Sequence, residues 1–349
     1  MSSKLSIGIV GAGAIGRAHI ETIAQSQCAT IVGVSEPNAA ARAYAEDRGL
    51  PCFETVDELI DKARPDAAII ATPNDTHRPV ALKFIAAGIP VLIEKPVASS
   101  VEDGLAIAAA AKNARVPVLV GHHRRHNPII KTARAMVAGG ELGRLVSGTI
   151  LAAFLKPPGY FEMAWRRQMG GGPILINLVH EIDLVRHVCG EIATVQALSS
   201  NNVRGFEVED TAGVILGLEN GAVVTISLSD TAATPWNWDL VAGESPNYPP
   251  QTRPVTTHFL CGTDGALGLP TLEHWEYRGE QSWFAPISTT QVGITPMSPY
   301  VAQLNHFCRA ARGEEEPLVS ADDGARTLRV TLAVHHAART GQTVVIKTR

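Results

Sequence analysis

Short apolar runs recur through the first third of the chain at residues 6–10, 31–34, 67–71, 91–93 and 118–120, separated by alanine-rich amphipathic stretches of helical length. Strand-length runs alternating with helical patterns make a parallel sheet, and runs without polar interruption belong to strands covered on both faces. Gly49-Leu50-Pro51 and Gly88-Ile89-Pro90 read as helix endings before the next strand. Beyond Pro128 the pattern changes: Asn220-Gly221 sits between runs 214–218 and 222–228, a hairpin signal that implies antiparallel pairing. Residues 231–254, rich in Pro, Trp and polar groups, read as a long loop. Helices over 299–311 and 321–339 and a strand at 343–346 close the chain. The expected organisation is a doubly wound Rossmann domain over 1–124 and an α+β domain over 125–349 with a large, mostly antiparallel open sheet, its last helix or strand able to pack back on the first domain.

With 349 residues, of which 45% are hydrophobic, there is core material for two domains. A net charge of −4 and no basic stretch interleaved with aromatics argue against nucleic acid as a partner. No apolar run is long enough to span a bilayer, and residues 1–4 lead into the first strand without a cleavable segment, so cytoplasm is the expected compartment. The five cysteines at 28, 52, 189, 261 and 308 lack pair spacing, which speaks against a disulfide framework or structural zinc; they read as buried apolar fillers.

The first turn carries chemistry. Gly11-Ala12-Gly13-Ala14-Ile15-Gly16 follows the first apolar run and opens a helical pattern, and Glu36 closes the second run, 20 positions after Gly16. Gly11 permits the tight turn, Gly13 lets backbone approach a pyrophosphate, Gly16 lets helix and strand pack closely, and Glu36 offers a carboxylate to ribose hydroxyls. A dinucleotide is implied, NAD rather than NADP, because Glu36 repels a 2′-phosphate; Arg17, Ser35 and Arg42 soften that preference. Thr72, Pro73, Asn74 and His77 follow the third run, and Glu94-Lys95-Pro96 follow the next, at the strand ends where ligands of open α/β sheets sit. Lys95 there either faces solvent or polarises a substrate carbonyl. Downstream, Gly170-Gly171-Gly172-Pro173 precedes a helix over 174–187 with Asn177, His180 and Asp183 three apart along one face. His180 with Asp183 is either a general base with its orienting carboxylate or an ordinary helix pair.

Taken in order, the glycine motif with His19, the Ala-Thr-Pro-Asn run with His77, Glu94-Lys95-Pro96, the stretch 121–128 and the glycine triplet before His180 and Asp183 resemble the Gfo/Idh/MocA (glucose–fructose oxidoreductase / inositol dehydrogenase) family. The resemblance implies NAD(P)-dependent oxidation or reduction of sugars, cyclitols or related diols, with Lys95 as the active-site lysine, His180 as the proton-exchanging histidine and Asp183 as the carboxylate after it. Many sugar dehydrogenases of the family carry an aspartate four residues before that histidine; here the position is Ile176, with the amide Asn177 beside it. The resemblance also implies a homodimer or homotetramer formed through the second sheet.

In this reading Lys95, His180, Asp183 and Asn177 are catalytic. The cofactor-binding set is Gly11, Gly13, Ala14, Ile15, Gly16, Glu36, Thr72, Pro73, Asn74, His77, Glu94 and Lys95. His123, Arg125, Trp165 and Arg166 join Asn177 and His180 on the substrate side. No metal is expected, because the arginines within His122-His123-Arg124-Arg125-His126 repel a cation. Two alternatives share this scaffold: an NAD-dependent glycoside hydrolase that oxidises its sugar only transiently, and a non-enzymatic dinucleotide-binding regulator.

Overall fold

A computed structural model describes residues 3–244 and 248–347. The chain divides into two compact units, residues 3–126 with 297–328, and residues 127–296 with 329–347.

In the first unit, strands β1 (Leu5–Val10), β2 (Ala29–Ser35), β3 (Cys52–Phe53), β4 (Ala67–Ile70), β5 (Val91–Ile93) and β6 (Val118–Val120) form one parallel sheet in the order β3-β2-β1-β4-β5-β6. This is the Rossmann strand order, in which the direction of strand addition reverses between β1 and β4. Crossovers are made by α1 (Ala14–Ala24), α2 (Ala39–Glu46), α3 (Val56–Glu58) continuing into a π turn at Leu59–Ala63, α4 (His77–Ala86) and α5 (Val101–Ala114). The central strands are buried on both faces, which explains their unbroken apolar sequence. The two-residue β3 has no sequence signature; Gly33 makes room for its Phe53, since a Cβ on Gly33 would lie 2.6 Å from the Phe53 ring.

The second unit contains α6 (Pro128–Ala138), β7 (Leu145–Ala153), α7 (Val179–Val188), β8 (Ile192–Ser200), β9 (Thr211–Leu218), β10 (Val223–Ser229), α8 (Trp238–Val241), β11 (His258–Gly262), β12 (Gly265–Leu269), β13 (Glu273–Glu276), β14 (Ser288–Gln291) and β15 (Val344–Val345). These strands form a nine-stranded sheet in the order β14-β13-β12-β11-β7-β10-β9-β8-β15, antiparallel except for the β7–β10 pair. The Asn220-Gly221 hairpin joins β9 to β10, with Gly221 at φ +87°. Alternate residues of β9 and β10 face a core shared with α6 and α7.

Two expectations need correction. The segment 297–328, placed by sequence in the second domain, belongs to the first unit. Helix α9 (Pro299–Ala311) lies along α1, Val120 N–H donates to Val319 O at 2.8 Å, and the start of α10 (Ala321–Thr340) comes so close to β6 that a Cβ on Gly324 would lie 2.8 Å from a Val120 methyl. The division after α10's Leu328 replaces a single boundary at 124/125. The loop at 231–254 also contains α8, whose Trp238 is fully buried against the second core; its Ser245, Pro246 and Asn247 lie outside the described residues. No helix is long and apolar enough to cross a membrane among the described residues.

Candidate active site

The turn after β1 packs so closely that Gly11 and Gly16 admit no side chain. A Cβ on Gly11 would stand 2.6 Å from Ala71 O, and one on Gly16 would stand 2.1 Å from Gly11 O. Gly13 differs: apart from its own stretch of chain, nothing lies within 4 Å of where its Cβ would be. Gly13 is also the N-cap of α1, which has no side-chain cap and no acidic residue in its first turn, while Gly13 and Ala14 are exposed and Ile15 half-buried. An uncapped helix N-terminus behind a glycine that leaves its space open fits a pyrophosphate. Glu36, just past β2, accepts from Ala12 N–H at 2.8 Å and from Asn38 N–H at 2.9 Å. Its carboxylate is thereby held at the lip of the cradle, the position expected for a group that receives ribose hydroxyls. Arg42 donates to Glu36 O and to the Glu46 carboxylate, so its charge is already engaged.

At the next strand ends the expected cofactor-binding residues divide into partly exposed and fully buried ones. Thr72 and Asn74 are half-buried and Pro73 exposed, whereas His77 is fully buried. The His77 ring spans Pro96 O at 3.0 Å and Thr72 O at 2.9 Å, stapling the turn after β4 to the turn after β5. Burial lowers the pKa of His77 although the neighbouring carbonyls oppose the shift, so the ring is neutral near pH 7 and donates its one N–H to one of them. Glu94 is likewise internal. Its Oε1 meets His19 Nε2 at 2.8 Å and its Oε2 accepts from Lys95 N–H at 3.2 Å. Burial pushes this carboxyl up, but His19, His123 and Lys95 outweigh burial and hold it below the usual carboxylate range. Lys95, half-buried, is presented by the turn that this buried anion anchors.

His123 and Arg125 are also buried. His123 stacks on Tyr300 of α9 with ring centroids 4.5 Å apart, and Tyr300 meets His19 edge-on. Arg125 donates to Asp323 at 2.6 Å. Both were expected on the substrate side; within this unit they tie β6 to the returning C-terminal segment.

In the second unit, Asn177 lies on a π turn, Ile174–Leu178, that runs into α7, where His180 and Asp183 are buried. The helix starts here because Gly172 lies against Glu209, whose carboxylate accepts from Ile174 N–H at 2.9 Å and complements the helix dipole. A π turn replaces the regular spacing expected from sequence, so Asn177 is not on an unbroken α-helical face with His180. Trp165 is 47% exposed, and the Arg166 guanidinium lies 3.9 Å over the Tyr160 ring while donating to Tyr160 O.

Sequence reasoning missed Lys156. Its buried ammonium donates to Asn177 Oδ1 at 2.8 Å and meets Asp230 Oδ2 at 3.2 Å, and Asp230 also pairs with Arg204. This fixes which end of the Asn177 amide faces Lys156 and turns the NH2 the other way. The available signal was Lys156-Pro157 shortly after a strand, the same dipeptide as Lys95-Pro96.

The neutral, buried His77 has a consequence for pH. Below about pH 6.5 the unfolded chain takes up a proton at this imidazole that the folded chain refuses until lower pH, so stability falls as pH drops through that window. The loss in melting temperature between pH 7.5 and 5.5 is expected to be smaller in His77→Gln than in the wild type, read by scanning calorimetry at matched ionic strength.

Two family models match the chain: the oxidoreductase family with NAD-binding Rossmann fold over residues 5–122, and the GFO/IDH/MocA C-terminal domain over residues 130–246. The rhizopine catabolism protein MocA of Rhizobium meliloti is 28% identical over 95% of this chain and 94% of its own length. An inositol 2-dehydrogenase of Corynebacterium glutamicum is 31% identical over 66% of this chain and 68% of its own. Among solved structures, the WlbA dehydrogenase from Bordetella pertussis, in complex with NADH and UDP-GlcNAcA, shares the fold with a TM-score of 0.81 at 22% identity, over 99% of this chain and 100% of that one. With the open cradle at Gly13 and the anchored Glu36, these matches establish the chain as an NAD-binding oxidoreductase of the Gfo/Idh/MocA family.

Proposed function

We propose that this chain oxidises a secondary hydroxyl of a sugar, cyclitol or related cyclic diol, or reduces the corresponding carbonyl, with NAD as its redox partner. NAD, when bound, supplies the hydride acceptor or donor. Its pyrophosphate is assigned to the N-terminus of α1 at Gly13, Ala14 and Ile15 and its adenosine ribose to Glu36; Thr72, Pro73 and Asn74 border the same strand ends. Glu36 disfavours a 2′-phosphate, which supports NAD over NADP. Lys95 steadies the negative charge that develops on the substrate oxygen, and the His180 imidazole takes the hydroxyl proton in oxidation and returns it in reduction. Asp183 orients the imidazole. Asn177 replaces the carboxylate common in the family with an amide, which donates to a substrate hydroxyl but cannot take a proton. Trp165 and Arg166 border the substrate side.

One observation carries this reading on the substrate side: the amide of Asn177 is fixed by a buried ammonium at 2.8 Å, three residues before a buried histidine. A mere dinucleotide-binding scaffold has no need of such an arrangement. The substrate class is supported by the relatives named inositol 2-dehydrogenase and 1,5-anhydro-D-fructose reductase. A cytoplasmic setting is consistent with five free cysteines.

We also propose a homo-oligomer formed through the nine-stranded sheet. On the face opposite the core, Leu198 is 74% exposed, Ile215 45% and Phe259 42%, alongside the small residues Gly213, Thr225 and Ser227. An apolar, small-residue sheet face of this extent suits a second copy of the same surface.

The kinetic test is a cyclitol and sugar panel followed by nicotinamide absorbance. Lys95→Ala and His180→Ala are expected to lower kcat by about 10²–10⁴-fold while NAD affinity by calorimetry stays near wild type. Lys156→Met is expected to lower kcat about tenfold, or about 1.4 kcal/mol, leaving the KM for NAD unchanged. Full activity in both Lys95→Ala and His180→Ala, with NAD still bound, refutes the enzymatic reading. In light scattering after gel filtration, the wild type is expected as a dimer or tetramer and Ile215→Arg as a smaller species; a monomeric wild type contradicts the sheet interface.

A further inference from the structure

Cys28 immediately precedes β2 and Cys308 lies on α9, 280 positions later, yet their sulfur atoms are 3.1 Å apart. Neither belongs to the dinucleotide cradle or to the groups assigned to the substrate. A disulfide has an S–S bond of about 2.05 Å, so closure asks the two sulfurs to approach by only about 1 Å. The other three cysteines have no such neighbour among the described residues.

The two thiols are not equivalent. Cys308 is fully buried, and burial, reinforced by its contact with Cys28, pushes its thiol up, so it is a poor first target for an oxidant. Cys28 is half-buried, with Ser26 Oγ 3.1 Å and Asn305 Oδ1 3.3 Å from its sulfur. Arg312 reaches the backbone oxygen of Cys28, not its sulfur. Cys28 is thus the more accessible member of the pair to a small solute.

We propose that Cys28 and Cys308 form an oxidation site that a hydroperoxide converts to a reversible disulfide, with Cys28 as the attacked thiol and Cys308 as the resolving one. The Cys28 sulfur attacks a peroxide oxygen, the O–O bond breaks, and the products are the sulfenic acid of Cys28 and an alcohol, or water where the oxidant is hydrogen peroxide. The Cys308 sulfur then attacks the Cys28 sulfur, the S–O bond breaks and water leaves. In sum, two thiols lose two electrons and two protons and the hydroperoxide is reduced; a dithiol reverses the change by exchange. The bond ties the entry of β2, the strand that leads to Glu36, to α9, which carries the Tyr300 ring lying against His123 and His19.

The test uses the purified full-length protein, titrated with hydrogen peroxide, capped with N-ethylmaleimide and read by intact mass and peptide mapping. The expected result is loss of two of the five alkylatable thiols, one Cys28–Cys308 linked peptide, a mass about 2 Da lower before capping from the lost hydrogens, recovery with dithiothreitol, and a melting temperature several degrees higher in the oxidised form. In Cys308→Ser, dimedone is expected to trap a sulfenic acid at Cys28. Oxidation of Cys28 to the sulfinic state with Cys308 still alkylatable, linkage of either residue to another cysteine, or retention of all five thiols overturns the proposal.

Discussion

The Glu94 carboxylate is the charge on which the dinucleotide-facing half is built. Removing a carboxylate from water costs several kcal/mol even after relaxation, so Glu94 is tolerable only with partners on both oxygens: His19 Nε2 on one and the Lys95 N–H on the other. Those partners come from α1 and from the turn after β5, so one buried anion fixes the first crossover helix to the strand end that presents Lys95. Gly121 leaves room for it, since a Cβ there would touch the carboxyl group at 3.0 Å. Tyr300 then closes over His19 and His123, which explains why the chain returns to this unit after 296.

The second unit uses a cation for the same purpose. Lys156 is buried between Asp230 and the Asn177 oxygen, and Arg204 shares Asp230. Glu181 on α7, next to His180, is bound to His258 of β11 at 2.7 Å. The helix carrying the proposed proton-exchanging histidine is thus pinned to the sheet by a buried carboxylate–imidazole hydrogen bond one residue away, so the position of His180 is set by groups that need not touch a substrate.

Local patterns were legible in the chain and distant pairings were not. The five short apolar runs, the Asn220-Gly221 hairpin and the helix at 299–311 follow from periodicity and turn chemistry within a dozen residues. The short β3, the return of 297–328 to the first unit, the Lys156–Asn177 bond and the Cys28–Cys308 contact depend on residues tens to hundreds of positions apart, which a one-dimensional pattern does not encode. His77, Glu94 and Arg125 illustrate a second limit. A polar residue after a strand looks the same in sequence whatever it meets in the fold; the distant partners His19, Pro96 O and Asp323 of these three are visible only in the structure.

The most direct test is the titration of Glu94 itself by carboxyl carbon NMR on the wild type and His19→Ala. An anion held by His19 predicts that the Glu94 resonance titrates below the ordinary carboxylate range in the wild type and moves upward when the imidazole is removed. A Glu94 that titrates at or above that range in the wild type, or is indifferent to His19, contradicts the account.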